Sequence, residues 1–148
     1  MKILLFKNTG LFGKLIGWQT RSEYCHAAIQ IGDTVYESMA TKGVRKIDIT
    51  NRLGDFDIFT VIANDVQEQS AKDFLEAQIG KKYDWGSVIR FVSRKQIHRE
   101  QAGVWFCSEL VFAALQSAGI ELLLRIEPWA VSPGMLRLSP LLIKKENA

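Results

Sequence analysis

The chain has 148 residues, 47% hydrophobic and 24% charged, which supplies the core of one domain and argues against disorder. Its 19 basic and 16 acidic residues leave a formal charge of +3, too mild to support nucleic-acid binding without a dense Lys/Arg run. Two cysteines do not make a disulfide scaffold, and the paired spacings of a zinc site are missing.

In chain order, residues 2–6 read as a short buried strand. Their apolar run falls short of the ~7–15 residues of a signal-peptide core. No segment approaches the ~20 apolar residues of a membrane span. A cytoplasmic protein with no integral membrane segment is expected, with delivery by a phage or a secretion machine left open. Residues 10–22, with Gly10, Gly13 and Gly17, read as a loop carrying a helical turn. Residues 26–31 and 34–39 form two strands joined at Gly32-Asp33, a hairpin turn signal. Residues 44–49 and 56–62 are further strands, the second nearly all apolar and expected centrally in the sheet.

Helical spacing begins near Val66, through Ala71, Phe74, Leu75 and Ile79, with Gly80 at the C-terminal cap. Asp84 is an N-cap for a second helix through Phe91. Residues 93–103 are polar and basic and read as an exposed loop holding His98. A third helix runs from about Phe106 to Ala118, with Gly119 ending it. Ser132-Pro133 starts another helix. No repeat or linker interrupts residues 1–148, so one domain is expected. The class is α+β, an antiparallel sheet with helices largely to one side.

The hairpin places chemistry. With Gly32-Asp33 as the turn, Ala28 faces Glu37 and Ala27 faces Ser38. His26, Ala28 and Gln30 then share a face with Val35, Glu37 and Met39. Glu37 is diagonal to His26, with Cβ atoms roughly 7 Å apart, within reach of the imidazole. A carboxylate there orients a histidine base and stabilises its imidazolium; a plain salt bridge on a solvated sheet face has an equal claim. Tyr24 is assigned to the His26 face, as an oxyanion donor or as a capping aromatic.

Cys107 opens the third helix. The partial positive charge of a helix N-terminus favours thiolate, and its unpaired N–H groups can hold an oxyanion. A packed, inert thiol is the competing reading. Alternation points Cys25 away from His26, and the register opposes a disulfide between the two cysteines. Tyr83 and Trp105 are placed beside a cleft at Cys107, and Glu109 on another helix face.

Three groups of residues carry a family resemblance. The first is Tyr24-Cys25-His26-Ala27-Ala28-Ile29-Gln30-Ile31-Gly32-Asp33 with Val35-Tyr36-Glu37-Ser38. The second is Gly80-Lys81-Lys82-Tyr83-Asp84 with Trp105-Phe106-Cys107-Ser108-Glu109-Leu110-Val111. The third is Ser132-Pro133-Gly134 with Leu138-Ser139-Pro140. Together they resemble the circularly permuted papain-like enzymes of the NlpC/P60 superfamily, in particular the YiiX-like group, related to lecithin:retinol acyltransferase. In these enzymes histidine precedes cysteine in the chain. The resemblance implies a permuted papain-like fold, a Cys107–His26–Glu37 triad and an acyl-enzyme, with no cofactor. It also implies a peptidase or amidase acting on amide bonds, cell-wall peptides among them, or a lipid acyltransferase or thioesterase on the same site. A non-catalytic binding module on this fold is the alternative from another class. Cys25 departs from the pattern, which has a small residue there.

Overall fold

The computed structural model describes residues 1–7, 21–87 and 103–145. The expected loops at 10–22 and 93–103 lie outside the described residues except for 21, 22 and 103, and so do His98 and most of the helix from Asp84.

Six strands form one antiparallel sheet: β1 (Lys2–Lys7), β2 (Tyr24–Ile31), β3 (Thr34–Met39), β4 (Gly43–Asp48), β5 (Phe56–Val61) and β8 (Leu142–Lys144). Their order is β4-β3-β2-β1-β5-β8. Two short strands, β6 (Lys82–Tyr83) and β7 (Val104–Trp105), pair in parallel as a separate small sheet beside β3 and β4. The helices are α1 (Asp65–Gln78), α2 (Cys107–Ser117) and α3 (Pro133–Leu136). The fold is α+β, as expected. Among the described residues no helix is long and apolar enough to cross a membrane.

Alternation gives the sheet two faces. Ile3, Leu5, Ala27, Ile29, Tyr36, Phe59 and Val61 pack with Leu75 of α1 and with Leu110, Val111 and Ala114 of α2 in the main core. Leu4, Phe6, Ala28 and Val35 form a separate cluster on the other face. Helix α1 is capped by Asn64, whose side chain accepts from the Gln67 N–H while Gln67 reaches back, a reciprocal pair that satisfies two orphan donors. Gly80 follows α1 at φ +86°, where a side chain would be strained.

Strand β5 differs from its expected place. It lies next to last in the sheet, between β1 and β8, and is fully buried only at alternate residues. Its neighbour β8 is three residues long, too short to be conspicuous in the sequence.

Candidate active site

The hairpin register is the expected one from Ile31↔Thr34 to Ala28↔Glu37. His26 and Glu37 meet on the face away from the helices, with His26 Nε2 2.8 Å from Glu37 Oε2. The His26 ring lies against Phe6, centroids 5.3 Å apart. Glu37 has no solvent exposure.

Two residues not singled out from the sequence complete this group. Arg45, directly opposite Glu37 on β4, donates from Nε and Nη2 to Glu37 Oε1 at 3.0 and 2.7 Å. Arg52 donates from Nε to Glu37 Oε2 at 2.9 Å, and its guanidinium sits 4.0 Å over the Phe6 ring. Burial alone would raise the Glu37 pKa. The hydrogen bond and charge of His26, with the two guanidiniums, outweigh it and hold the carboxyl at about 2. A carboxylate accepts only, so the proton between it and His26 sits on Nε2. In the neutral imidazole Nδ1 then keeps the free lone pair, the atom a base needs.

Cys107 is the first residue of α2 and only 1% exposed. Its immediate cluster is Phe106 and Tyr83. Burial pushes the thiol up to about 12, opposed in part by the backbone N–H groups of Ala27, Ser108 and Cys107 itself. The thiol is therefore neutral at physiological pH, against the lowered pKa expected from the helix terminus alone: desolvation outweighs the partial charge. Among the described residues no hydrogen bond joins Cys107 to His26. The two are linked through Ala27, whose amide faces the sulfur and which is next to His26 in the chain.

Beside Ala27 the pairing of β2 with β3 stops. The β2–β3 ladder ends at Ala28↔Glu37, one pair short of the expected Ala27↔Ser38. Past that point the Ser38 hydroxyl donates instead to the Trp105 carbonyl of β7 at 2.7 Å. That bond draws the segment leading into α2 against the open end of the hairpin. Ser108 Oγ donates to the Val131 carbonyl at 2.6 Å, and the Phe106 N–H donates to Glu109 Oε2 at 3.2 Å. Glu109 is thus a structural partner of the helix start.

Two expectations are corrected. Tyr24 is not on the His26 face. A bulge at Cys25, where Phe6 pairs with His26 and Lys7 with Tyr24, turns Tyr24 into the main core. There its hydroxyl donates to Asp57 Oδ2 at 2.5 Å, so it is not available to an oxyanion. Trp105 does not line the cysteine cleft with its ring. The indole packs edge-on to Phe74 and donates to Gln78 Oε1 at 3.1 Å, leaving only its carbonyl near the site. Tyr83 does sit beside Cys107, with its hydroxyl pKa raised by burial. Asp84 accepts from the Ser87 N–H, as an N-cap should. Neither cysteine is in a disulfide. The Cys25 thiol donates to the Lys7 carbonyl at 3.5 Å.

Comparison with solved structures identifies the architecture as the YiiX fold. The crystal structure of YiiX from Escherichia coli O157:H7, described as a metalloprotein, superposes with a TM-score of 0.71 at 17% identity, over 99% of this chain and 96% of that one. No protein-family profile and no curated protein matches the sequence.

The donors here do not suit a cation. Glu37 is ringed by two guanidiniums, and His26 Nε2 faces Glu37. No group of three or more His, Cys, Asp or Glu comes together among the described residues.

Proposed function

We infer that the protein is a cysteine-dependent amidase or peptidase, with Cys107 as nucleophile, His26 as base and Glu37 as the residue that orients the base. One observation carries this: a histidine held by a buried carboxylate at 2.8 Å adjoins, through the Ala27 amide, a cysteine at a helix N-terminus.

In the proposed reaction the Cys107 sulfur adds to the carbonyl carbon as its proton moves to His26 Nδ1. Because the resting thiol is neutral, proton loss and attack are coupled. The N–H groups at the start of α2 receive the oxyanion. Collapse breaks the C–N bond, and the amine leaves with the proton from His26. Water, deprotonated by His26, then cleaves the thioester, releasing the acid and restoring the thiol. The absence of a direct Cys107–His26 bond fits this order, since catalytic hydrogen bonds commonly tighten only when substrate is bound.

The test is acylation of Cys107 by a para-nitrophenyl ester, located by mass spectrometry, with release of nitrophenol as the rate. Cys107→Ala should abolish it, and His26→Ala should slow it by about 10²–10⁴-fold. If Cys107 stays unmodified and His26→Ala has no effect, the chain is a binding module on this fold.

A further inference from the structure

The Glu37 group contains more positive charge than Glu37 needs. One carboxylate is shared by two guanidiniums, so the group carries a surplus of one positive charge even with His26 neutral. Both arginines are substantially buried, their side chains 26% and 14% exposed. A cation withdrawn from water without a matching anion is costly to keep there. Among the described residues, Arg45 and Arg52 form ion pairs with no carboxylate but Glu37. Asp55 is engaged by Lys7, and Asp57 by Tyr24, Lys7 and Lys144 on the opposite face.

The donor count points the same way. Arg45 uses Nε and Nη2 on Glu37. Arg52 uses Nε on Glu37 and Nη1 on the Leu53 carbonyl at 2.7 Å. Among the described residues, Arg45 Nη1 and Arg52 Nη2 have no partner. These two donors flank a single carboxylate that also holds the base.

We propose that Arg45 and Arg52 recognise a carboxylate on the acyl donor, making this a site for acidic peptide substrates. The proposal rests on the amidase reading and names the substrate class for the same site. A planar guanidinium with a free N–H edge suits a carboxylate, and one surplus charge matches one monoanion. Binding there would complete the neutralisation of the pair and bring the substrate beside His26.

Two esters of similar acyl length test it: neutral para-nitrophenyl butanoate and the singly charged para-nitrophenyl hemiglutarate. The full-length chain should favour hemiglutarate by about tenfold or more in kcat/KM, and the preference should shrink on going from low salt to about 0.5 M, where the screening length is only a few ångströms. Arg45→Gln and Arg52→Gln, made singly so that Glu37 keeps one guanidinium, should each reduce the preference several-fold. The ratio between the esters separates recognition from the arginines' hold on Glu37, which would change both rates together. Equal turnover of the two esters through Cys107, or a preference untouched by salt and by both substitutions, overturns the proposal and leaves the acyl chemistry standing. Failure of both esters to acylate Cys107 overturns the amidase reading, and this proposal with it.

Discussion

At the scale of single residues, Glu37 is the most constrained group described. Both of its oxygens are occupied and it has no contact with water. Glu37→Gln would leave two guanidiniums without their anion. Removing one partner of a buried ion pair typically costs about 3–5 kcal/mol, and urea denaturation followed by circular dichroism should show a loss of that order. The His26–Glu37 contact was legible because a two-residue turn fixes strand register. The same arithmetic, run about the three-residue turn Ala40-Thr41-Lys42, places Arg45 opposite Glu37 and could have found it. Arg52 had no such signal. It follows the 3₁₀ turn Ile49–Asn51, where strand parity no longer says which way a side chain points. Tyr24 was misread because a bulge breaks alternation without changing composition.

At the scale of elements, the site depends on what holds the open hairpin against the start of α2. Gly43 begins β4 at φ +66°, and a Cβ there would lie 2.2 Å from the Lys81 carbonyl oxygen. That close approach lets the Val44 N–H donate to Lys81 at 2.8 Å and the Gly80 N–H donate to the Val44 carbonyl at 2.9 Å. Through β6 and its partner β7, these bonds reach Trp105 and the cysteine helix. Gly43→Ala should cost at least about 2 kcal/mol, from strain at positive φ together with lost hydrogen bonds. It should also slow acylation of Cys107, although Gly43 is not in the site. Thermal melts and the ester assay on one preparation would check both. The helices were readable from apolar spacing and caps, whereas β6, β7 and β8 are too short to carry a periodic signal.

At the scale of the whole molecule, the sheet holds one buried carboxylate on each face. Glu37 is held at about 2, against 4.5 for the ordinary group. Asp57 is also held at about 2, against 3.8, by hydrogen bonds from Lys144 and Tyr24. The unfolded chain therefore takes up these protons at a higher pH than the folded one. Their contribution to stability is complete above pH 4.5 and is lost as pH falls towards 2. The melting temperature should drop steeply across that window. Glu37→Gln and Asp57→Asn should each flatten the drop while lowering the plateau at neutral pH. An unchanged acid slope in both variants would mean that neither carboxyl is held down in the folded state. The architecture is shared with YiiX at only 17% identity, as expected when a fold is set by burial pattern and turn geometry more than by particular side chains.

The bulge at Cys25 has a consequence for which changes in chain length the protein can absorb. Tyr24 and His26 serve opposite sides of the sheet, although residues two apart in a regular strand would point the same way. Cys25 is the surplus residue that reconciles them. A chain lacking Cys25 would keep the core tyrosine and the base on their present sides, now as immediate neighbours in an unbroken ladder. A deletion one position later would remove the base itself, and one position earlier would remove the anchor of Asp57. At this point in β2, losing a residue is a gentler change than the usual rule for strands would suggest.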